Sequence, residues 1–560
     1  MNKTRLKRHI ALLLAVIMCM TFSSCSKNED ANAKNEADEE IHFAEDLPLL
    51  IDVADEEVLI NGKSFRNNYK GYEIVIPTDA RVDDSLGLYA TKITGHGYDI
   101  TISKEKSPYA KMTAEMRNGL KNYGIDYEAL DATEQYILYY ESRFLLNKDW
   151  QKNNDVDVTA VERLNFNGYE ALVFSATING VLNVNYDAFT YAYIKLGGRD
   201  YLRVLVRCRK ESTAFRANVL RLFDDIQIFD PTEKKSLNVL YGPKLPEAWP
   251  EDTIKLYNDI KNSNALRWGI YSADMFKTGI NETIPGLEEK LEFTFPVVLT
   301  YSHSIHKFPT EFMEQTANDG RIVELTYQLT DTNNENMLAK SVMLDLYRGI
   351  EIPSIAEFAK GASEFGKPFL FRLCNEMNSD WTNYSGVVNM ADPDVFIAAW
   401  REIYKIFEKE GVNNCIWIFN PNDRNCPPTN WNNALRYYPG DEYVQMIGVT
   451  GYNNGNYYKN LGEHWREFKT IYDEIERSYG QVFGCYPWII TEFASSSYGG
   501  NKKAWIDSMF DHIDEYPRIK IAVWFNAADY DSKGKAARPY WLDETKESLN
   551  AFKKGLSAYK

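Results

Sequence analysis

The chain is short of positive charge: Lys and Arg number 63 against 80 Asp and Glu in 560 residues, a formal net charge of -17. That deficit excludes nucleic acid and an anionic membrane surface as the partner, because both are gripped through basic patches. Cysteine is scarce as well. Five of the seven cysteines lie beyond the N-terminal leader, Cys208, Cys374, Cys415, Cys426 and Cys485, at irregular intervals. They form neither a metal-ligand spacing nor a disulfide framework. Cys374 and Cys415 fall inside apolar runs and read as small buried hydrophobes. There is no Gly-rich phosphate loop and no Ser-His-Asp signature, so neither cofactor nor metal is expected. After residue 25 no stretch is long and apolar enough to cross a bilayer.

The first 25 residues form a targeting segment. Lys3, Arg5, Lys7 and Arg8 make a basic start, and an apolar run from Ile10 to Met20 follows. It closes on Thr21-Phe-Ser-Ser-Cys25, where small residues before a cysteine resemble a bacterial lipobox. In that reading Cys25 is lipidated and the protein is exported and tethered outside the cytoplasmic membrane; plain secretion is the alternative. Residues 26–45 are polar and acidic and read as a disordered linker.

What is abundant is aromatic: 37 Tyr, 28 Phe and 12 Trp make 14% of the chain. Such rings stack on the C–H faces of hydroxyl-rich ligands, and they also fill cores. Length predicts two domains. From 46 to 235 short β-rich runs dominate, among them Tyr72–Pro77, Tyr98–Ser103, Tyr169–Phe174, Phe189–Ile194 and Tyr201–Arg207. Helical stretches near 111–122 and 212–225 complete a smaller α+β domain of unassigned role. Pro243, Pro246 and Pro250 mark a linker.

From 245 to 560 the pattern changes to strands alternating with amphipathic helices. Eight strands are expected: Leu266–Tyr271, Phe295–Tyr301, Ile322–Tyr327, Pro368–Leu373, Cys415–Phe419, Val444–Val449, Trp488–Thr491 and Ile521–Phe525. Phe396, Trp400, Ile403 and Phe407 share one helix face, and Trp465, Phe468, Tyr472 and Ile475 another. Eight such units predict an α/β fold, a (β/α)8 TIM barrel, with its active site at the C-terminal strand ends. Glu376 and Glu492 fall at the ends of the fourth and seventh strands. Buried strands seldom end on an acid without a reason, and two carboxylates facing across a sugar are the working parts of most glycosidases.

The segment Gly366-Lys-Pro-Phe-Leu-Phe-Arg-Leu-Cys-Asn-Glu-Met-Asn-Ser-Asp-Trp381 resembles the acid/base motif of glycoside hydrolase family 26. Trp417-Ile-Phe-Asn-Pro-Asn422 is similar to that family's fifth strand, Ile490-Thr-Glu-Phe493 to its nucleophile strand and Trp524-Phe-Asn526 to the eighth-strand aromatic beneath the −1 sugar. The likeness spans about 265–545. It implies a clan A retaining glycosidase with Glu376 as acid/base and Glu492 as nucleophile, acting on a β-linked polysaccharide, mannan foremost, endo-1,4-β-mannanase being the matching activity. Asn375 stands where the family usually has histidine. The third strand ends Leu325-Thr-Tyr-Gln328 where mannanases show a Trp-His pair, and Gly448-Val-Thr-Gly-Tyr452 lacks the usual aspartate. These departures leave mixed-linkage glucan, xylan or an exopolysaccharide open as substrate.

Asn375, Trp381, Tyr452, Trp524, Gln328, His303 and Arg372 are the candidate substrate contacts. Tyr452 is also placed to orient Glu492 through its hydroxyl. Arg372, on the alternation leading to Glu376, either holds a carboxylate ionised or makes a barrel-core salt bridge. His303 and His306 follow the second strand and are sugar contacts or merely solvated. Trp505 reads as core. A non-catalytic glycan-binding lipoprotein on a degenerate barrel is the competing reading, and transglycosylation uses the same two glutamates.

Overall fold

The computed structural model describes residues 62–560 apart from 108–110, 181–185, 210–219, 222, 305 and 331–336. The leader with Cys25, the acidic stretch 26–45 and most of the helix expected at 212–225 lie outside the described residues. Eight parallel strands close into a barrel: Arg267–Ser272, Val297–His303, Ile322–Gln328, Phe369–Leu373, Cys415–Phe419, Met446–Thr450, Trp488–Phe493 and Ile519–Asn526. The first pairs with both the second and the eighth, which leaves no free edge.

Side-chain alternation builds the barrel's two layers. Val297, Leu299, Leu370, Ile416, Ile418, Met446, Ile489, Ile521 and Val523 point inward and pack together. Their neighbours Trp268, Val298, Phe371, Trp417, Ile447, Ile490 and Trp524 point outward under the helices. Covered on both faces, the strands are near-continuous apolar runs. Trp249, Tyr257 and Ile260, on and before helix Glu251–Lys261, join the inward cluster and cap one end of the barrel.

Further along the same strands the interior turns polar. Glu324, Thr326, Arg372, Asn420 and Thr450 are all buried there. Gly448 makes the room for them: a Cβ at that position would lie 2.7 Å from Thr491 Cγ2 and 2.9 Å from Asn420 Cβ. Helix Pro393–Lys409, the longest that follows a barrel strand, starts with Asp392 accepting from the Asp394 N–H and with proline at its first position.

The smaller unit is two antiparallel sheets. Seven strands run in the order Arg81–Asp83, Thr91–Gly95, Tyr98–Lys106, Asp200–Cys208, Ala188–Gly197, Tyr169–Ile178, Val156–Phe166. Three more, Gly62–Asn67, Tyr72–Pro77 and Gln227–Ile228, make the second sheet. One face of the larger sheet, with Val173, Ala192, Leu202, Val204 and Val206, packs toward the second sheet. The other face, with Phe174, Tyr191, Tyr193, Tyr201 and Leu205, packs on helix Ala132–Arg143 and merges with the barrel's outer core.

That junction is polar as well as apolar. Arg207 donates to Asp392 Oδ2 at 2.9 Å and also meets Asp394, while Arg203 donates to the Ala391 carbonyl at 2.6 Å. Glu105 accepts the backbone N–H groups of Asn430 and Trp431 at 2.6 and 2.8 Å. These barrel segments follow the fourth and fifth strands, so the small unit sits on loops at the C-terminal ends. The proline-marked stretch is no loose tether. Tyr241 lies 4.5 Å from the Tyr438 ring and its N–H bonds to the Val482 carbonyl at 2.8 Å.

Candidate active site

The fourth strand stops being regular where the chemistry begins. Cys374 and Glu376 both have left-handed backbones, φ +45° and +59°, on either side of Asn375. Non-glycine residues resist that region, and such strain gathers where surrounding structure holds a side chain in a required place. Here the hold is explicit: the Cys374 N–H bonds to the Tyr327 carbonyl at 2.9 Å and the Glu376 N–H to the Asn420 carbonyl at 2.8 Å.

Glu492 is re-aimed by a different device. In the seventh strand Ile489 points inward and Ile490 outward. Regular alternation would then turn Glu492 out under the helices. The register slips by one residue against both neighbouring strands, Ile490 and Glu492 opposing Val449 and Thr450 on one side. On the other, Ile490 and Phe493 oppose Ala522 and Trp524. This β-bulge turns the Glu492 carboxylate into the barrel mouth while Phe493 stays in the outer core.

Four donors meet Glu492. Arg372 Nη1 reaches Oε1 at 2.6 Å and Asn375 Nδ2 the same oxygen at 3.4 Å. The hydroxyls of Tyr301 and Tyr452 donate to Oε2 at 2.7 and 2.8 Å. Each carboxylate oxygen thus has two donors directed at it. Arg372 is completely buried and is itself fixed, its Nε donating to Thr326 Oγ1 at 2.6 Å and Nη1 to Asn420 Oδ1 at 3.0 Å. Glu324 Oε1 lies 3.2 Å from the same Nε but out of line for a hydrogen bond. Burial pushes Glu324 up to about 8, so near neutral pH it is mostly uncharged and Arg372 is left facing Glu492.

Glu376 is in the opposite situation. Burial, then the charge of Glu492, push its carboxyl up to about 7. Hydrogen bonds from Trp381 Nε1, at 2.8 Å to Oε2, and from Asn422 pull the other way. One acid is thus held among donors and the other is made to keep its proton, the kind of split by which one member of a carboxyl pair can attack and the other give a proton.

The remaining candidates sort themselves by position. Asn375 Oδ1 accepts from Gln328 Nε2 at 2.9 Å and from the Tyr384 hydroxyl at 3.2 Å, which fixes its amide N–H groups toward the pocket. Gln328 is therefore a support beneath Asn375 rather than a direct sugar contact. Arg372, expected among the sugar contacts, lies under Glu492 in the barrel and has no exposed surface to offer. His303 is buried, bonded through Nδ1 to Thr330 Oγ1 at 2.7 Å, and pushed down to about 4 by burial, then by neighbouring His306. It is neutral at working pH. Trp505 is core, as its helix pattern suggests, its Nε1 donating to the Arg466 carbonyl at 2.9 Å.

Trp524 is a correction. It has no exposed surface, its Nε1 donates to the Tyr540 carbonyl at 2.9 Å, and Phe493, Trp505 and Phe552 surround it. It faces the helices. The aromatic that reaches the mouth from the eighth strand is its neighbour Phe525, stacked on Tyr271 at 4.5 Å and edge-on to Tyr452 at 5.9 Å. Inward alternation of Ile521 and Val523 points to Phe525 and could have found it. The same reasoning from Leu299 reaches Tyr301, which the motifs missed. Asn420, inside a quoted motif, is the other omission.

Residues 327–476, from the third strand to the helix before the seventh, match glycosyl hydrolase family 26. This match lies within the barrel and covers 150 of the chain's 560 residues. Endoglucanase H of Acetivibrio thermocellus is 29% identical over 252 residues, 44% of this chain and 25% of that protein. A mannan endo-1,4-beta-mannosidase of Bacillus subtilis is 26% identical over 106 residues, 18% of this chain and 28% of that protein. The alignments thus span about a quarter of each curated relative. Among solved structures, the catalytic domain of a family 26 endo-beta-1,4-mannanase from Bacillus sp. JAMB-750 matches with 16% identity and a TM-score of 0.42, covering 57% of this chain and 93% of that one. The family 26 match includes Glu376 and ends before Glu492.

Proposed function

We propose that the barrel is a family 26 enzyme that hydrolyses a β-linked polysaccharide internally and with retention, mannan-type chains being the preferred substrate. Glu376 acts as general acid and then general base, and Glu492 attacks the anomeric carbon. The observation that carries this reading is the contrast between the two acids: Glu492 accepts from four donors, while Glu376 is pushed up to about 7. In the first step Glu492 bonds to the anomeric carbon as Glu376 gives its proton to the departing glycosidic oxygen. In the second, Glu376, now ionised, takes a proton from water, whose oxygen displaces Glu492 from the sugar. Asn375, with its N–H groups turned to the pocket, is suited to the hydroxyl beside the reacting carbon. Phe525, Tyr271 and Trp381 offer ring surface.

A β-glucan is the competing substrate, favoured by the longer alignment to a protein named an endoglucanase. Reducing-end release from mannan, glucomannan, mixed-linkage β-glucan and xylan decides between them, and NMR of the first product anomer tests retention. Glu492→Ala should lower turnover by at least about 10³-fold. Glu376→Ala should lose about 10²- to 10⁴-fold on polysaccharide yet far less on a dinitrophenyl glycoside, whose leaving group needs no proton. Binding without release of ends from any glycan would sink the catalytic reading in favour of a glycan-binding protein. The leader supports a lipid-anchored, extracytoplasmic location. A palmitate analogue incorporated by the wild type but not by Cys25→Ala is the expected outcome; equal labelling of both refutes the anchor.

A further inference from the structure

The small unit reaches the candidate active site through one helix. Helix Ala132–Arg143 opens with a capping box between Asp131 and Glu134 and ends against the loop that follows Glu376. Arg143, its last residue, donates from Nη1 to Asp380 Oδ2 at 2.9 Å. The two side chains are 20% and 30% exposed, so the pair is partly withdrawn from water. The rings of Phe144, Tyr139 and Tyr140 lie 5.1 to 5.9 Å from the guanidinium and limit where it can go. Asp380 immediately precedes Trp381, whose indole N–H donates to Glu376. A second contact supports the same loop: the Tyr140 hydroxyl is 3.9 Å from Cys426 Sγ, and the Cys426 N–H bonds to the Asn378 carbonyl at 2.8 Å.

We infer that Arg143 is a positioning residue for hydrolysis: by holding Asp380 it fixes Trp381 over Glu376, so the small unit completes the proton-donating half of the active site. This rests on the reading of Glu376 as acid/base. Trp381 is 36% exposed and cannot rely on burial in a core to hold its ring. An indole left that free keeps a single hydrogen bond only if its backbone is anchored, and Asp380 is the adjacent charged anchor. The indole N–H favours the ionised form of Glu376, opposing burial and Glu492. The other titratable and charged groups that act on or sense Glu376 are Glu492 and Arg372 on the strands and Tyr384 and Tyr540 on loops, all of the barrel. Releasing Trp381 therefore raises the proton affinity of Glu376 and misplaces its oxygen.

The test uses the full chain with Arg143→Ala, Arg143→Lys and Asp380→Asn. Arg143→Ala should lose about tenfold in kcat/KM on polysaccharide while changing less than about twofold on a dinitrophenyl glycoside of the same sugar. The basic limb of its pH profile should move upward, and Arg143→Lys should restore most of both. Asp380→Asn should reproduce the defect from the barrel side and covers the case in which Arg143→Ala fails to fold. Adding Arg143→Ala to it should cost little more, because the two changes break one bond. Equal losses on both substrates with an unmoved basic limb would overturn the inference. A readout independent of turnover is the 19F resonance of 5-fluorotryptophan at Trp381, assigned with Trp381→Phe. It should shift in Arg143→Ala and return in Arg143→Lys, and an unmoved resonance also overturns the inference. If wild type cleaves no glycan, the hydrolytic reading fails while the resonance still reports whether Arg143 fixes Trp381.

Discussion

Glu376 occupies a backbone conformation that a glutamate does not choose, and its carboxyl keeps a proton that a surface glutamate would release. Both features have costs. Its ordinary value of 4.5 rises to about 7 in the fold, so the folded state binds this proton more tightly than the unfolded chain. The stability tied to that proton is complete below about pH 4.5 and is lost as pH climbs through about 7. Glu376→Gln should consequently melt with the wild type in mild acid and above it at pH 8, by at most roughly 3 kcal/mol; a variant no more stable at pH 8 contradicts the burial of this group. Under the proposed acid/base role of Glu376, the same titration sets the pH dependence of hydrolysis. Activity on polysaccharide should fall along a basic limb near pH 7, and that limb should vanish in Glu376→Ala assayed on an activated aryl glycoside.

Single elements decide which side chains reach the mouth. The seventh strand would hide Glu492 without its bulge, and the eighth hides Trp524 because it has none in that stretch. Two substitutions separate these neighbours. Trp524→Ala removes a ring packed against Phe493, Trp505 and Phe552 and should cost about 3–5 kcal/mol in denaturant unfolding. Phe525→Ala should leave stability much closer to wild type and instead weaken oligosaccharide binding, measured by calorimetry on a Glu492→Ala background. If the binding loss follows Trp524, the assignment of the inward face is wrong. The motif resemblance pointed at Trp524 because a tryptophan stands out in a sequence, while alternation counted from Ile521 selects Phe525.

At the scale of the molecule, the two units share a core and a buried charge cluster. Arg207, Asp392 and Asp394 meet between the small unit's sheet and the start of helix Pro393–Lys409. Removing the arginine leaves Asp392 buried without its cation, while Asp394 keeps Lys92 at 2.8 Å. Arg207→Ala should therefore destabilise the whole chain by about 3–5 kcal/mol. The two units should still unfold in one calorimetric transition; a second, separate transition would show that they are coupled only weakly. By sequence alone the stretch from 46 to 235 is a separate domain of unassigned role. Arg203 and Arg207 lie four residues apart on one face of an otherwise apolar strand, a pattern that reads equally well as a solvated face. Which of the two holds depends on whether another surface arrives to pair with them.

The order of residues alone was enough for the eight-strand barrel, because burial on both faces of each strand writes itself as apolar runs separated by amphipathic helices. It was enough to single out Glu376 and Glu492, since an acid after such a run is rare. Tyr301, Asn420 and Gln328 are supports whose meaning appears only when strands far apart in sequence lie side by side. The left-handed turn at Glu376, the slipped register at Glu492 and the approach of Arg143 to Asp380 belong to tertiary structure for the same reason. Each is a strained or long-range arrangement maintained by groups that no local pattern brings together, and closing the barrel and docking the small unit supplies the contacts that maintain it.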